Sequence, residues 1–274
     1  MSNILLTGGT GFVGQHLVPL LIKERHSVFV LTRDKRNLEH HEWRADVRAL
    51  EHDLSFGDFE FDNYQFDKLV HLAWDRLDNY EDEFHYETAL PSSFRFIKHA
   101  VESGIRQVLV SGTCFEYGHK YGPINPAATT SPLNSYALAK DCLRGQLELL
   151  ARQKDFTLQW ARLFYMYGAG QSPKSLISQL DRAIQGGASV FRMSGGEQLR
   201  DYLPVSKVAE KLCKLLHSEK AGPINICSGK PISVRRLVEE RILQHQANIK
   251  IDTGYYPYPE HETMAFWGVD TLGD

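Results

Sequence analysis

A glycine-rich turn near the start of the chain is the feature that most limits what this sequence can fold into. An apolar run at residues 3–7 precedes the turn, leucines at helical spacing occupy residues 15–23, and a second apolar run follows at residues 27–31. Glycines three residues apart let a strand turn directly into a helix and bring backbone N–H groups close to a pyrophosphate. The residues expected to form this turn and bind the phosphates are Gly8, Thr10, Gly11, Phe12, Val13 and Gly14. In this context the motif predicts a dinucleotide-binding β-α-β unit rather than a plain structural turn.

Apolar runs and helical patterns alternate along the rest of the chain, which predicts an α/β fold with a doubly wound parallel sheet of the Rossmann type. The predicted strands are residues 3–7, 27–31, 47–51, 68–72, 107–111, 158–163 and 224–227, and the predicted helices are residues 15–23, 90–103, 136–153, 174–185, 205–217 and 233–245. We expect residues 1–163 to form the NADP-binding domain. Residues 164–274 are expected to form mainly a smaller, discontinuous substrate-binding cap, with some segments returning to the Rossmann domain. The cap includes an extended run at residues 188–193, and the chain is expected to fray near its end, after Ile249.

The end of the second strand is followed by basic residues at a place where many NAD-binding proteins have an acidic residue. A carboxylate at this position accepts a hydrogen bond from the ribose 2′-hydroxyl of NAD, whereas this chain has Thr32 and Arg33, followed closely by Arg36. A guanidinium presents a planar fork of donors that suits a 2′-phosphate. The pattern favours NADP(H), with NAD(H) still possible. The neighbouring Asp34 and the alternative of a solvated basic loop leave this choice open.

Further cofactor contacts are expected at the carboxyl ends of the third and fourth strands, where an open parallel sheet binds its ligands. These residues are Asp53 and Leu54, toward the adenine, and Leu72, Ala73 and Trp74. The acidic and aromatic segment at residues 75–87 has no clear period, and we expect it to cross the cofactor cleft.

Charge and cysteine content narrow the choice of partners. The chain has 274 residues, of which 31 are Lys or Arg and 34 are Asp or Glu, so the net charge of -3 gives no basic footprint for nucleic acid or an acidic membrane. The four cysteines and twelve histidines show no metal-ligand spacing, so neither a metal site nor a disulfide framework is expected. No run approaches the length of a membrane span, and the chain starts without a secretory pattern. We therefore expect a cytoplasmic protein whose partner is a small molecule.

Tyr136 and Lys140 lie four residues apart at the start of a predicted helix. Four residues are about one helical turn, so both side chains are expected on one face. A cation close to a phenol favours the phenolate and lowers its pKa, which would help the tyrosine to exchange a proton with a carbonyl oxygen. Taken alone, the spacing is common in helices, and a half-buried tyrosine beside a solvated lysine is the simpler interpretation.

Together with other motifs, this pair resembles the extended short-chain dehydrogenase/reductase family. The matching motifs are TGGTGFVG at residues 7–14, HLA at 71–73, SGTCFEYG at 111–118, YALAK at 136–140, ARLFYMYG at 161–168 and GEQLRDYLPV at 196–205. They stand in the family's order across nearly the whole chain. The resemblance implies that Thr113 and Tyr136 hydrogen-bond the substrate carbonyl oxygen, while Lys140 holds the cofactor ribose. It also places Ser111 and Phe164 at the cofactor.

The resemblance further implies a nucleotide-sugar substrate that is held by the C-terminal part of the chain. The expected substrate contacts are Thr113, Tyr165, Val190, Phe191, Arg192 and Arg200. Arg200 matches a family arginine that binds the substrate diphosphate, whereas Tyr165 replaces the usual asparagine. Plain core packing of Phe191 and an ion pair between Arg200 and Asp201 remain the alternatives.

Cys114 and Phe115 depart from the patterns of two kinds of relative. Family dehydratases carry an Asp-Glu pair directly after the catalytic threonine, and epimerase-reductases carry a cysteine where this chain has Phe115. Cys114 is interpreted as a small buried hydrophobe. We therefore expect NADPH-dependent reduction of the keto group of a nucleotide-linked sugar, most specifically a 4-keto-6-deoxyhexose. The alternatives are a nucleotide-sugar 4-epimerase with tightly bound NAD and a non-enzymatic NADP-binding regulatory protein. A homodimer that pairs the helices at residues 90–103 and 136–153 is expected from the same resemblance.

Overall fold

The computed structural model describes residues 1–259 and 263–273. The strands in these residues are β1 (Asn3–Thr7), β2 (Ser27–Thr32), β3 (Arg48–Glu51), β4 (Lys68–His71), β5 (Gln107–Thr113), β6 (Gly122–Ile124), β7 (Thr157–Leu163), β8 (Tyr165–Tyr167), β9 (Val190–Arg192), β10 (Leu199–Arg200), β11 (Tyr202–Pro204), β12 (Gly222–Ile226), β13 (Ile232–Ser233), β14 (Lys250–Asp252) and β15 (Ala265–Gly268). The helices are α1 (Gly14–Lys23), α2 (Leu90–Glu102), α3 (Ser135–Gln153), α4 (Leu176–Gln185), α5 (Val205–Leu216) and α6 (Val234–Gln244). A π-helical turn at His85–Ala89 leads into α2, and 3-10 turns form at Lys35–Leu38, Glu42–Asp46 and Cys114–Tyr117.

The largest sheet in the described residues has seven parallel strands in the order β3-β2-β1-β4-β5-β7-β12. The chain runs outward from β1 to β3 on one side and then from β4 to β12 on the other. The strand order therefore reverses between β1 and β4, and a ligand crevice opens at the carboxyl ends of the strands at such a point. The predicted α/β fold with a doubly wound parallel sheet is confirmed.

Both faces of this sheet are covered by helices, which explains why its strands are almost continuously apolar. Ile4 and Leu6 pack into a cluster with residues of α1 and α5, whereas Leu5 between them packs with residues of α2 and α3 on the opposite face. All three side chains are fully buried. Helices α2 and α3 pack against each other, and α3 leaves Leu138 and Leu149 exposed. The homodimer through these two helices stays a prediction.

Shorter strands build the layer above the carboxyl ends of the central sheet. Within the described residues they form a four-stranded sheet in the order β13-β10-β15-β6 and two parallel pairs, β8 with β11 and β9 with β14. Strand β6 comes from the first part of the chain, while β12 returns to the central sheet beside β7. The chain therefore crosses between the layers on both sides of residue 163, and the division into domains at that residue stays a prediction.

The expectation of a frayed end is wrong for the described part of the C-terminal segment. Strand β15 lies between β10 and β6, and Phe266 within it is buried. Its partners lie far away in the chain, so the Pro- and Tyr-rich composition that precedes it carried no local signal of this pairing. In the residues that the structure describes, none of the helices combines the length and apolar character needed to span a bilayer.

His71 on β4 is a fully buried histidine and makes the stability of the fold sensitive to acid. Its Nδ1 lies 2.9 Å from the Thr7 hydroxyl and its Nε2 lies 3.2 Å from the Ser93 hydroxyl. Burial lowers the pKa of His71 to about 3, and the nearby Lys140 ammonium acts in the same direction. The unfolded chain, whose histidines titrate near pH ~6.5, therefore binds this proton first as the pH falls. Above about pH 6.5 the titration of His71 does not change the free energy of unfolding. Below that pH it lowers the free energy of unfolding by roughly 1.4 kcal/mol per pH unit, until about pH 3 is reached.

A His71→Gln variant removes this titration and retains a polar side chain for the two hydroxyls. Its free energy of unfolding in urea is expected to be lower than wild type at neutral pH but to fall less steeply between about pH 6.5 and pH 5. The difference between the two slopes isolates His71 from the carboxyl groups, which titrate in both proteins. Equal slopes would contradict a neutral, buried His71.

Candidate active site

A cleft with a volume of about 780 Å³ opens at the carboxyl ends of the central strands. The predicted cofactor residues that line it are Gly8, Thr10, Gly11, Phe12, Val13, Gly14, Arg33, Asp53, Leu54, Leu72, Ala73, Trp74, Ser111, Tyr136, Lys140 and Phe164. Of the predicted substrate residues, Thr113 and Tyr165 also line it. All of the predicted cofactor and catalytic residues except Arg36 thus meet in one cleft, although they come from the ends of six strands and from α3.

The glycine turn at the floor of the cleft has the geometry that the sequence motif requires. Gly8 has a φ of 74°, in the left-handed region, and its carbonyl accepts a hydrogen bond of 3.1 Å from Gly11 N–H. A Cβ atom at Gly14 would lie only 2.1 Å from the Gly8 carbonyl oxygen, so only glycine fits there. Val13 has no polar side chain to cap α1. The N–H groups of Gln15, His16 and Leu17 already donate to the Gly11 and Val13 carbonyls, so an anion would be held by the positive end of the helix and by the N–H groups of the turn before it. These residues fit a dinucleotide pyrophosphate.

The two arginines after β2 occupy different surroundings. Arg33 lines the cleft and donates from Nη1 and Nη2 to the two carboxylate oxygens of Asp75, at 2.9 and 3.2 Å. Arg36 donates from Nε to Asp34 at 2.8 Å and is not part of the cleft lining. The structure therefore brings Arg33 to the cofactor cleft and leaves Arg36 outside it. Asp75 was not among the predicted site residues, because nothing local marks its pairing with Arg33.

Two elements place the candidate catalytic residues. Thr113 ends β5, and Tyr136 and Lys140 stand one turn apart in α3, which begins after Asn134 caps it by accepting a 2.8 Å hydrogen bond from Ala137 N–H. The Lys140 ammonium group is buried and donates to the Ser111 carbonyl at 2.9 Å. It also lies 3.9 Å from the centre of the Trp74 ring.

The surroundings of Tyr136 keep its phenol protonated. Burial raises the pKa of Tyr136 above that of an ordinary phenol, Tyr80 and Glu116 act in the same direction, and interaction with the Thr113 side chain opposes them. The expectation that Lys140 lowers this pKa is therefore wrong for the protein alone. Burial lowers the pKa of Lys140 itself to about 7, with Glu116 opposing the change. The phenol of Tyr136 is therefore protonated at neutral pH.

A buried carboxylate that the sequence analysis missed fixes the turn after Thr113. Glu116 Oε1 accepts from Thr113 N–H at 2.8 Å, and Glu116 Oε2 accepts from Arg162 Nε at 2.6 Å. Trp160 Nε1 also donates to this carboxylate, at 3.0 Å. Thr113 and Glu116 form a capping box, and their spacing of three residues was the sequence signal that could have revealed it.

Aromatic rings form the wall of the cleft around Tyr136. Tyr80 stacks on Tyr136 with ring centres 5.2 Å apart and accepts a 2.9 Å hydrogen bond from Tyr136 N–H at its carbonyl. Phe115 lies edge-on to Tyr80 and to Tyr165, at 5.4 and 6.1 Å. Tyr80 was also missed, although the aromatic content of residues 75–87 pointed to that segment. Burial raises the pKa of the Cys114 thiol, in agreement with its interpretation as a small buried hydrophobe.

The remaining predicted substrate residues do not line the cleft. Arg200 is buried behind Tyr165, with its guanidinium carbon 5.7 Å from that ring and Nη1 donating to the Leu199 carbonyl. Phe191 packs into the apolar cluster of the cap. Val190 is exposed, and Arg192 lies over the Tyr255 ring at 4.4 Å. Asp201 accepts hydrogen bonds from Ser228 and Gly229 N–H groups at 2.7 and 2.9 Å.

The comparison with known families decides what kind of protein this is. The model of the NAD dependent epimerase/dehydratase family matches residues 4–227. The chain belongs to this family. It is an NAD(P)-dependent enzyme of the extended short-chain dehydrogenase/reductase type, as the motifs and the cleft geometry indicate.

Several members of the epimerase/dehydratase family resemble this chain along most of its length. It is 28% identical to the dTDP-6-deoxy-L-talose 4-dehydrogenase (NAD(+)) of Aggregatibacter actinomycetemcomitans, over 97% of this chain and 99% of the relative. It is 25% identical to the UDP-glucose 4-epimerase of Halalkalibacterium halodurans, over 86% of this chain and 78% of the relative. Its fold matches the structure of a UDP-N-acetylglucosamine 4-epimerase from Methanobrevibacter ruminantium with a TM-score of 0.87 and 23% identity, covering 98% and 90% of the two chains.

Proposed function

We propose that this enzyme reduces the keto group of a nucleotide-linked sugar, a 4-keto-6-deoxyhexose, to the hydroxyl with NADPH. The observation that carries the proposal is the protonated Tyr136 beside Thr113, at the end of the cleft that begins at the glycine turn. A reductase needs a proton donor at the carbonyl oxygen, and a phenol that stays protonated at neutral pH can hydrogen-bond this oxygen and release its proton as negative charge develops there.

Each group of cleft residues has a distinct task in this proposal. When bound, NADPH supplies the hydride that adds to the keto carbon. The glycine turn and the start of α1 bind the pyrophosphate. Lys140, whose ammonium group is fixed by its hydrogen bond to the Ser111 carbonyl, binds the ribose next to the nicotinamide. Thr113 and Tyr136 hydrogen-bond the keto oxygen, and Tyr136 donates its phenol proton as negative charge develops there.

Two observations favour a 4-keto-6-deoxyhexose reductase over a dehydratase. The positions after Thr113 hold Cys114 and Phe115, which cannot perform the acid–base steps of an elimination. The 28% identical relative is named a 4-dehydrogenase of a dTDP-linked 6-deoxy sugar, and its reaction is keto reduction written in the opposite direction. A panel of nucleotide-linked sugars incubated with NADPH, with products identified by NMR, tests the substrate class. We expect NADPH consumption with 4-keto-6-deoxy sugars, whereas oxidation of NADPH by none of the keto sugars would contradict the proposal.

The second candidate is a nucleotide-sugar 4-epimerase, favoured by relatives and fold neighbours of that name. An epimerase returns the hydride to the same sugar and therefore keeps its cofactor bound and unchanged over a full cycle. Purified protein that already carries a stoichiometric, undialysable nicotinamide cofactor would favour this candidate. Cofactor that exchanges freely supports the reductase.

The NADPH preference is proposed to depend on Arg33. The Arg33–Asp75 pair is about half exposed on both sides, so it contributes roughly 0–1 kcal/mol and can exchange partners with a 2′-phosphate. We expect Arg33→Ala to weaken NADPH binding roughly 10- to 100-fold, the scale of a lost charge-assisted hydrogen bond, and to change NADH binding little. Fluorescence titration with each cofactor measures the two dissociation constants.

Two further variants sharpen this measurement of cofactor preference. Arg36→Ala removes the same charge three residues further along the chain but outside the cleft, and we expect little change for either cofactor. Asp75→Asn releases Arg33 from its carboxylate and removes a negative charge from the cleft, so NADPH should bind more tightly relative to NADH. Equal losses for NADPH and NADH in Arg33→Ala would contradict recognition of a 2′-phosphate by this residue.

A further inference from the structure

The ammonium group of Lys140 has unusual surroundings for a buried cation. Only 1% of the residue is exposed, and its ammonium group donates a hydrogen bond to the neutral carbonyl of Ser111. In the described part of the chain no carboxylate forms an ion pair with it, and Glu116, which is committed to Arg162, acts from farther away. The group that faces the charge directly is the ring of Trp74, 3.9 Å from Nζ to the ring centre.

The ring of Trp74 is held in this position by a chain of hydrogen bonds. Trp74 Nε1–H donates to Nδ1 of His85 at 3.0 Å, and Nε2 of His85 lies 2.9 Å from the Asn79 carbonyl. Since Nδ1 must accept from the indole, the proton of the neutral imidazole is on Nε2 and is donated to Asn79. His85 is fully buried in the π-helical turn before α2, a local distortion that often marks a functional position. The turn, the imidazole and the indole together fix one face of Trp74 against Lys140.

We propose that Trp74 is a positioning residue that holds Lys140 charged and in place through a cation–π interaction, and that His85 fixes the orientation of Trp74. The inference deepens the proposed function, since Lys140 serves that reaction as the residue beside the cofactor. The proposed reaction alone requires neither a cation–π contact from Trp74 nor an orienting role for His85.

Charged and titratable groups from every side determine when Lys140 loses its proton. The Trp74 ring contacts the Lys140 ammonium from the segment after β4, while His71 on β4 and Glu116 in the turn after β5 interact with it electrostatically. His85 and Tyr136 lie against the Trp74 ring and against each other. Burial lowers the pKa of Lys140 to about 7, which makes its charge marginal at neutral pH. A desolvated cation–π contact favours the charged form, so its loss is expected to move this titration down by roughly 0.5 to 1.5 pH units.

Site-specific fluorination of Trp74 tests the contact without changing the shape of the ring or the access of water. Fluorine atoms withdraw electron density from the ring face and weaken a cation–π contact stepwise from mono- to tetrafluorotryptophan. With each added fluorine, we expect the alkaline limb of the pH profile of kcat/KM to move to lower pH. The pH above which the dissociation constant of NADPH rises should move in the same direction. The same substitutions at Trp43, which is buried in the core and away from the cleft, serve as the matched control and should move neither.

Measuring NADPH binding at equilibrium tests this inference separately from the proposed reaction. If no keto sugar is reduced, the pH dependence of NADPH binding still reports Lys140. A stepwise downward shift with fluorination at Trp74 supports the contact, and an unchanged pH dependence of binding overturns it. His85→Leu, which cannot accept the indole proton, is expected to shift the same limb downward, while His85→Gln retains an acceptor and should recover part of the shift. Identical profiles for His85→Leu and wild type would overturn the orienting role of His85.

Discussion

Replacing Tyr136 by phenylalanine is expected to lower kcat at least about a hundredfold, the scale on which a positioned acid contributes, while the dissociation constant of NADPH stays within about twofold. Phenylalanine keeps the ring that stacks on Tyr80 and keeps the backbone hydrogen bond to the Tyr80 carbonyl, so the start of α3 should not move. The substitution removes the phenol hydroxyl, together with its proton and its interaction with the Thr113 side chain. Initial rates of NADPH oxidation with a 4-keto-6-deoxy sugar nucleotide measure the first quantity, and fluorescence titration measures the second.

Tyr80 provides the matched control for this substitution, because it presents a second phenol to the same cleft. Tyr80→Phe also removes one hydroxyl and also preserves the stacked pair, yet we expect a loss of less than about tenfold. If Tyr80→Phe loses as much activity as Tyr136→Phe, or if Tyr136→Phe turns over normally, Tyr136 is not the proton donor.

Removing Glu116 is expected to have the largest effect on stability. Glu116→Ala leaves the Arg162 guanidinium, whose side chain is 2% exposed, with only the more distant carboxylate of Asp141, at 4.0 Å. It also removes the acceptors of Trp160 Nε1–H and Thr113 N–H. Loss of one partner of a buried ion pair costs about 3–5 kcal/mol. Turnover should fall as well, because the backbone of Thr113 is then no longer held by a side chain. Urea unfolding followed by circular dichroism measures the free energy of unfolding.

Glu148 offers the same substitution in a different environment. It also pairs with an arginine, Arg144, at 2.7 Å, but on the partly exposed side of α3. Glu148→Ala is therefore expected to lose less than about 1 kcal/mol. The loss of stability in Glu116→Gln should lie between those of Glu116→Ala and Glu148→Ala, because glutamine keeps an acceptor for Thr113 N–H and loses only the charge. Equal losses at positions 116 and 148 would show that the buried pair is not important for stability.

The Rossmann half of the molecule could be predicted from the sequence because its signals are local. Apolar runs of five to seven residues such as β1 and β5 are typical of strands buried on both faces, and the glycine turn fixes the connection to α1. The cap could not be predicted to the same extent. Strands β10 and β13 have two residues each, and β6 pairs with β15 from the far end of the chain, so their stability comes from contacts that no local pattern records.

The candidate site shows the same distinction between local and long-range signals. Thr113, Tyr136 and Lys140 were recognisable because each belongs to a motif of fixed spacing. The partners that set their chemistry were not: Asp75 reaches Arg33, Arg162 reaches Glu116, and Trp74 reaches Lys140 only through the fold. The upward direction of the Tyr136 pKa follows from burial, which spacing within a helix cannot report.

The transfer of hydride tests the proposed reaction most directly. NADPH that carries deuterium at the transferable position of the nicotinamide is incubated with the enzyme and a nucleotide-linked 4-keto-6-deoxyhexose, and the product is examined by NMR and mass spectrometry. The proposal predicts one deuterium at C4 of the sugar for each NADPH consumed. Interconversion of 4-epimers without consumption of NADPH and without deuterium in the sugar would contradict it.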